Sequence, residues 1–131
     1  SLGDFSFHRE SGQERYAEIL VLDAIPTYPP DVNSNFPEIG LGDGVFITRD
    51  PEDDRNIGRK LASVAETANI PWQFIYSYGI GSSNSQPYTK FFATPVQQLN
   101  IPVENMHGYL EMVDLRDLVR FYQLVELYLK I

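Results

Sequence analysis

The sequence predicts an α/β fold, a three-layer α/β/α sandwich in which a mostly parallel or mixed sheet lies between helices. Two observations carry this prediction. Short apolar runs suited to buried strands alternate along the chain with segments of helical periodicity, and strands separated by helices are typical of such sheets. The 131 residues can also bury a substantial hydrophobic core. We therefore expect one domain over residues 1–131.

Two strands separated by a long loop are predicted in the first third of the chain. The apolar run Ile19–Leu22 fits a strand over residues 17–24 that is buried on both faces. Repeated prolines and glycines between Pro26 and Gly44 indicate an irregular loop, of a length that is usually functional or mobile. The next strand is predicted over residues 44–48. Weaker patterns near the start of the sequence predict a short strand over 4–7 and a helical turn over 13–18.

The first long helix is predicted to begin at Asp50. Its carboxylate can accept hydrogen bonds from free backbone N–H groups, and Pro51 suits the first helical position because its missing N–H costs nothing there. The acidic run 52–54 complements the positive end of the helix dipole, a simpler explanation than a calcium site. Apolar residues at helical spacing predict one buried stripe, namely Ile57, Leu61, Val64, Ala65 and Ala68. Asn69 and Pro71 end the helix.

Two further strands and a final helix are predicted toward the C-terminus. An aromatic-rich strand is expected over residues 72–78 and another strand over 96–101. Between them, a glycine- and serine-rich turn over 79–85 precedes a short helix over 88–93. Asp114 is the predicted cap of the last helix. The residues predicted to face the core from this helix are Leu115, Leu118, Val119, Tyr122, Val125 and Leu129.

Composition argues against several classes of function. The net charge of -8 argues against a nucleic-acid partner, because binding phosphates requires clustered lysine and arginine. No apolar run is long enough to span a membrane. The absence of cysteine removes disulfides, thiolate nucleophiles and thiolate metal sites. We therefore expect a cytoplasmic protein that acts on neither nucleic acid nor membrane.

The most informative stretch of the chain contains a histidine. His107 lies on a short loop between a predicted strand and the final helix, where a side chain can reach a cleft. The segments Ile101–Gly108 and Val113–Leu115 resemble the closing segment of the dinuclear-zinc aminopeptidases, a family that includes glutamyl aminopeptidase, deblocking aminopeptidase and cellulase-M-like proteins. In that family a strand ending I-P-x-R-Y precedes a metal-ligating His-Ser and a V-D-L helix start. The departures from this pattern are Glu104 for the Arg, Asn105 for the Tyr and Gly108 for the Ser.

Other segments resemble the same family in the same order. Ile19–Asp23 resembles its strand ending in a metal-ligand Asp, and Ile70–Gln73 resembles its I-P-x-Q strand. The remaining matches are Gly40–Val45 to L-G-x-G-P, Gly81–Asn84 to G-T-D-A and Thr94–Pro95 to V-P-T. The resemblance implies that the chain is equivalent to the C-terminal segment of an aminopeptidase catalytic domain, a zinc-peptidase-like half domain. The family's N-terminal catalytic half and its inserted dimerisation domain have no counterpart here.

The resemblance implies three metal ligands. Asp23 matches a ligand of one metal, His107 a ligand of the other, and Glu10 a ligand in the family's E-E-V-G motif. Arg9 then stands where the family has its catalytic base, and a guanidinium cannot accept a proton at any working pH. Ser83 replaces the acid of G-T-D-A. The family uses zinc or another divalent metal, but too few ligands are left to expect a retained cofactor, and no residue is expected to be catalytic.

A simpler interpretation stands beside each of these ligands. His107 also fits a surface or hydrogen-bonded histidine. Asp23 at a strand end also fits a carboxylate that accepts hydrogen bonds from neighbouring N–H groups. For Arg9 and Glu10, a solvated charge pair is the simpler interpretation. Gly79–Ser83 lacks the lysine and the spacing of a phosphate loop, so a plain turn is favoured there.

Two functions are therefore expected. The first is a segment or degenerate relative of a metal-dependent aminopeptidase, inactive as an isolated chain. The alternative is a non-catalytic pseudo-peptidase module that binds a peptide or a partner subunit through the former active-site cleft. In either case Asp23 and His107 are expected at strand ends on the same edge of the sheet.

A homo-oligomer is also expected. The segments of the family fold that lack a counterpart would otherwise cover part of this one. Their absence would expose a sheet edge and apolar surface, which tend to be covered by association. Aromatic residues near the start of the sequence are the candidates for this contact, namely Phe5, Phe7 and Tyr16.

Overall fold

Four strands form one mixed sheet in the computed structural model, which describes residues 17–28, 38–76, 94–105 and 107–131. The strands are β1 (Ile19–Pro26), β2 (Val45–Thr48), β3 (Trp72–Ile75) and β4 (Val96–Val103). Their order across the sheet is β1-β4-β2-β3. β1 runs parallel to β4 and β2 parallel to β3, whereas β4 and β2 are antiparallel. The predicted α/β class and mixed sheet are confirmed.

Several predicted features lie outside the described residues. Among the predicted elements they are the strand over 4–7, most of the helical turn over 13–18, the middle of the long loop (29–37), the last two residues of the strand over 72–78, the turn over 79–85 and the short helix over 88–93. Among the predicted site and contact residues they are Arg9, Glu10, Ser83, Phe5, Phe7 and Tyr16.

The helices α1 (Arg55–Thr67) and α2 (Leu115–Leu129) pack together on one face of the sheet. The buried residues they share with the strands include Val45, Ile47, Leu99, Leu61, Ala65, Phe121 and Leu124. The opposite face carries a second buried cluster formed by Ile25, Ile39, Phe46 and Ile75. Burial of both faces explains why the strands are apolar runs and not alternating patterns. Among the described residues, no helix has the length and apolar character needed to cross a membrane.

Strand β1 ends two residues later than predicted, and this moves Asp23 into its interior. Ile25 pairs with Pro102, and Pro26 pairs with Val103. Ile25 is 3% exposed and belongs to the core, and Pro26 is partly buried. Pro102 is tolerated in β4 because β2 pairs with β4 only nearer its middle, so the missing N–H interrupts no pairing on that side.

Helix α1 begins later than predicted, with Asp54 as its N-cap in place of Asp50. Asp54 Oδ1 accepts a hydrogen bond from the N–H of Ile57 at 3.0 Å. Asp50 instead lies in a turn, in which its N–H donates to Asp53 Oδ2 at 2.9 Å. Asp53 Oδ1 also accepts from the N–H of Gln98 in β4 at 3.1 Å. This buried bond to the sheet holds the turn, so the helix starts only after it.

Helix α2 begins at its predicted cap but turns a different face to the core. Asp114 Oδ1 accepts from the N–H of Arg116 at 2.8 Å, which confirms the cap. The buried residues are Asp117, Phe121, Leu124 and Tyr128. Four of the predicted inner residues are largely exposed, namely Leu115 at 72%, Val119 at 64%, Tyr122 at 65% and Leu129 at 71%. Val125 packs against the core as predicted. The helix thus has two apolar stripes, and most of the predicted inner face is the outer one.

Candidate functional site

One edge of the sheet brings together most of the segments that the sequence singled out. The carboxyl ends of β1 and β4 lie together there, and because β2 is antiparallel to β4, the amino ends of β2 and β3 lie at the same edge. The segments that meet it are the loop 104–112, the glycine loop 40–44 and the start of α2. We call this the carboxyl edge. Ligands of open α/β sheets gather beyond the carboxyl ends of strands.

Asp23 lies within β1 and not at its end. Three residues follow it in the strand, which places it about 10 Å from the carboxyl end. Its Oδ1 accepts a hydrogen bond from the N–H of Ala24 at 2.8 Å. Asn100 stands beside it in register on β4 and is 1% exposed. The prediction that Asp23 lies at a strand end is therefore wrong, because the pairing of β1 with β4 continues to Pro26 and Val103.

Buried amide side chains run along β4, and they were not singled out from the sequence. Gln97, Gln98 and Asn100 are each at most 3% exposed. Gln97 Nε2 donates to Thr48 O at 2.7 Å, and Gln98 Nε2 donates to Asn100 Oδ1 at 2.8 Å. Within the described ranges, Asn100 Nδ2 is a buried donor without a partner. The sequence signal for them is a Q-Q-x-N run inside a strand that is predicted from its apolar residues. Polar side chains buried in a strand require hydrogen-bond partners, so such a run indicates a buried polar network.

His107 lies on a closed, exposed loop beyond β4, residues 104–112, called the histidine loop below. Glu104 and Met112 exchange two backbone hydrogen bonds of 2.8 and 3.0 Å, which close the loop. Asn105 and His107 have φ angles of 57° and 62°, in the left-handed region that Asn and His enter more readily than most residues. The N–H of His107 donates to Glu111 Oε1 at 2.7 Å. These bonds fix the backbone and leave the imidazole at the surface.

The described residues do not fit a two-metal centre. Within those residues, no three His, Cys, Asp or Glu side chains are grouped so that they could hold a metal ion. A typical zinc site takes four ligands, whereas Asp23 lies inside a strand and His107 on a surface loop. Glu10 lies outside the described residues. The assignment of Asp23, His107 and Glu10 as metal ligands therefore stays a prediction.

A buried carboxylate fixes the glycine loop at the carboxyl edge. Asp117 is 0% exposed, and its two oxygens accept from the N–H of Gly42 at 2.7 Å and of Gly44 at 2.9 Å. Arg120 Nη1 lies 3.9 Å from Asp117 Oδ1 and donates to Gly42 O at 3.3 Å. These donors offset the cost of burying a charge. Asp117 was not singled out, because an acid in the first turn of a helix ordinarily indicates only favourable helix-end charge.

Asp114 at the start of α2 has a shifted pKa. Arg116 Nη2 donates to Asp114 Oδ2 at 2.7 Å, and the N–H of Arg116 donates to Oδ1 at 2.8 Å. The side-chain hydrogen bond from Arg116 is the largest cause, and together these contacts lower the pKa of Asp114 from 3.8 to about 2. The carboxylate is therefore ionised through most of the acidic range.

Stability is expected to fall as Asp114 becomes protonated. Because its pKa is lower in the folded than in the unfolded chain, the carboxylate stabilises the fold above about pH 4, and this contribution is lost as the pH falls toward about 2. Thermal unfolding midpoints measured across this range should decline more in the wild type than in Asp114→Asn, which keeps a capping side chain but cannot titrate. Parallel declines in the two proteins would contradict the assignment.

A shallow concavity of about 420 Å³ lies near the same edge, between the end of α1 and the start of β3. Its lining includes Asp43, Glu66, Asn69 and Trp72. Trp72 Nε1 donates to Glu66 Oε1 at 2.8 Å, so part of its polar surface is already paired. Neither Asp23 nor His107 lines it. The concavity is therefore separate from the predicted ligand positions.

The fold and this edge define an α/β domain with an open mixed sheet and a histidine loop beyond the carboxyl ends of two parallel strands. Comparison with known proteins places it more narrowly. The sequence profile of the M42 glutamyl aminopeptidase family matches residues 10–124. The chain therefore belongs to the M42 peptidase family. No match was found among curated protein sequences.

Solved structures with the same fold include several peptidases. A protein provisionally described as a peptidase/endoglucanase is 26% identical, with a TM-score of 0.71 over 88% of this chain and 34% of that one. An aminopeptidase from the archaeon Desulfurococcus kamchatkensis is 24% identical, with a TM-score of 0.72 over 86% and 33%. The TET1 peptidase of Pyrococcus horikoshii, which can assemble into a tetrahedron or a large octahedral shell, is 21% identical, with a TM-score of 0.65 over 86% and 33%. This chain spans about a third of the length of these proteins.

Proposed function

We propose that this chain is a degenerate M42 module that does not hydrolyse peptides by itself. The observation that supports this proposal is that no three His, Cys, Asp or Glu side chains are grouped to hold a metal ion within the described residues. Asp23 lies within β1, where it pairs with Asn100 of β4, and His107 is exposed on a loop beyond β4. Two divalent metals, when bound, would lower the pKa of a water and polarise a peptide carbonyl. That chemistry requires more donors than these two residues supply.

The resemblance to the family gives a second reason for inactivity. Arg9 occupies the position at which the family has its general base. Its guanidinium stays protonated at any working pH, so it cannot take a proton from water.

The purified chain is expected to release no amino acid from aminoacyl p-nitroanilides above the buffer rate, with or without added zinc or cobalt. Neither a base nor a closed metal site is expected, so no rate should depend on the metal. Initial rates of the wild type, His107→Ala and Asp23→Asn provide the check. A metal-dependent rate that falls in both variants would show that the chain assembles an active site. A rate that neither variant changes would indicate a contaminating peptidase.

We also propose that the carboxyl edge binds a peptide or a partner subunit through the histidine loop. The supporting observation is a group of exposed apolar side chains on this loop, with Tyr109 at 110%, Leu110 at 71% and Met112 at 44% exposure. Grouped apolar residues at the surface are a frequent mark of interaction sites. Because the loop is closed by backbone hydrogen bonds, it loses little conformational entropy on binding.

Titration with short peptides that carry free N-termini is expected to shift the amide NMR signals of the histidine loop. The variant Tyr109→Ala should raise the dissociation constant by about tenfold or more, because an exposed aromatic anchor is removed. Val113→Ser is the matched control, since Val113 is 41% exposed and lies just outside the loop. Shifts spread over other surfaces, or the same loss in both variants, would contradict recognition by this loop.

Assembly is the last part of the proposal. The TET1 peptidase of similar fold can assemble into a tetrahedron or a large octahedral shell. We propose that this chain also forms a homo-oligomer. We further propose that it is cytoplasmic and that zinc is the metal of any site formed by the predicted ligands. The acidic net charge of -8 is compatible with a soluble assembly.

A further inference from the structure

The outer face of α2 carries a second apolar stripe. It consists of Leu115, Leu118, Val119, Tyr122, Val125 and Leu129, called the outer stripe below. Four of these residues are 64% to 72% exposed and Leu118 is partly exposed, whereas Val125 lies at the inner margin of the stripe and also packs against the core. A helix on the surface of a globular domain normally needs one apolar stripe, and α2 already buries Phe121, Leu124 and Tyr128 on its inner face. The outer stripe is therefore available for another contact.

The outer stripe is nearly symmetric about its midpoint. Tyr122 is central, and Leu115 and Leu129 each lie seven residues from it. Val119 and Val125 each lie three residues from it, whereas the counterpart of Leu118 is Glu126. Turning the helix end for end about Tyr122 therefore places Leu115 on Leu129 and Val119 on Val125. A twofold interface requires this kind of self-complementarity.

Charge on α2 favours a second copy over a basic partner. The chain has a net charge of -8, but the segment 114–130 is balanced. Its acids are Asp114, Asp117 and Glu126, and its bases are Arg116, Arg120 and Lys130. Two acidic chains can therefore approach through this helix without local repulsion.

We propose that this chain forms a homodimer in which the outer stripe of α2 packs antiparallel against that of a second copy, with Tyr122 at the twofold axis. The proposal rests on the homo-oligomer proposed above and gives it a surface, but it is independent of hydrolysis and of peptide binding. Six apolar side chains from each copy would bury on the order of 1,000 Å² in total, at the lower end of specific interfaces. A dissociation constant in the micromolar range is expected.

Sedimentation equilibrium tests whether the outer stripe is the contact. The wild type is expected to dimerise, and Tyr122→Glu to raise the dimer dissociation constant by about tenfold or more, because it places two like charges at the axis. Gln123→Glu is the matched control, since it adds the same charge at the next, exposed position away from the stripe. Circular dichroism checks that both variants fold, and Val119→Lys provides a second change in the stripe.

Single cysteines test the orientation, because the natural chain contains none. Under mild oxidation, Tyr122→Cys should form a disulfide-linked dimer, and Gln123→Cys much less. A mixture of Leu115→Cys and Leu129→Cys should cross-link between the two proteins, whereas Leu115→Cys alone should not. Self-linking of Leu115→Cys would indicate a parallel pair and overturn the proposed geometry.

Two outcomes would contradict the proposal that the outer stripe is the dimer contact. A wild-type chain that stays monomeric up to hundreds of micromolar would remove both the dimer and the proposed homo-oligomer. A dimer that neither Tyr122→Glu nor Val119→Lys weakens would keep the oligomer but place its contact elsewhere. The aromatic residues Phe5, Phe7 and Tyr16 would then be the next candidates. Neither outcome would change the expected result of the hydrolysis assay.

Discussion

Replacing Gly44 by alanine is expected to destabilise the chain by roughly 3 kcal/mol or more. Gly44 has a φ angle of 95°, where a side chain is strained, and an added Cβ would lie 2.2 Å from Pro71 O. That carbonyl is held in place because it accepts a hydrogen bond from the N–H of Val45 at 3.0 Å. Relief of the clash would therefore separate β2 from β3 at their amino ends. Urea unfolding followed by circular dichroism measures the loss.

Gly40→Ala is the matched control for this change. Its added Cβ would approach Asp43 Oδ2 at 3.0 Å, the end of a side chain that can move, so we expect a loss below about 1 kcal/mol. Gly42→Ala should be intermediate, because its φ angle is 88° but its nearest atom, Arg116 Nη2, belongs to an exposed side chain. Equal unfolding midpoints for the wild type and Gly44→Ala would contradict the described conformation of the glycine loop.

Asp117→Ala is expected to cost about 3 kcal/mol of unfolding free energy. The buried carboxylate accepts from the N–H groups of Gly42 and Gly44, and its removal leaves both donors without that partner. Arg120 would also lose the nearby negative charge. Because the same bonds fix the glycine loop, the loss in the double variant Gly44→Ala/Asp117→Ala should be smaller than the sum of the single losses.

The controls for Asp117 separate its geometry from its charge. Asp117→Asn keeps the shape and one acceptor oxygen, so it should lose about half as much stability as the alanine variant. Glu126→Ala removes an acid from the same helix whose ion pair with Lys130 is 68% exposed on both sides, and its effect should stay within about 0.5 kcal/mol. An Asp117→Ala protein as stable as the wild type would mean that the free-energy cost of desolvating the carboxylate equals the gain from its hydrogen bonds. That result would contradict the proposed role of Asp117 in stabilising the glycine loop.

The strands were largely predictable because each contains a short run rich in apolar or aromatic residues, although only β2 is buried throughout. The start of α1 and the buried face of α2 were not predictable, because contacts with distant parts of the chain determine both. Four acidic residues could have capped α1, and Asp54 became the cap because Asp53 bonds to the N–H of Gln98 in β4. In α2, two apolar stripes competed for the core. The choice between them follows from Asp117, whose bonds to the glycine loop reach across more than seventy residues of sequence.

The candidate site was predictable in outline but not in position. The resemblance identified the family and the segments that meet at the carboxyl edge. It placed Asp23 at a strand end, whereas pairing with β4 extends β1 three residues beyond it. The buried amides of β4 were not predictable, because the burial of polar residues in a strand depends on hydrogen-bond partners on neighbouring strands. Gln97, for example, is paired with the carbonyl of Thr48.

Calorimetric titration of the purified chain with zinc tests the central claim, that this M42 chain does not assemble a metal centre by itself. Asp23 and His107 alone make a poor closed site, because one carboxylate and one imidazole cannot fill four coordination positions. We expect binding no tighter than micromolar, with no change in His107→Ala. A stoichiometric nanomolar site that disappears in His107→Ala would contradict this claim and would restore a metal-dependent peptidase as the function of the chain.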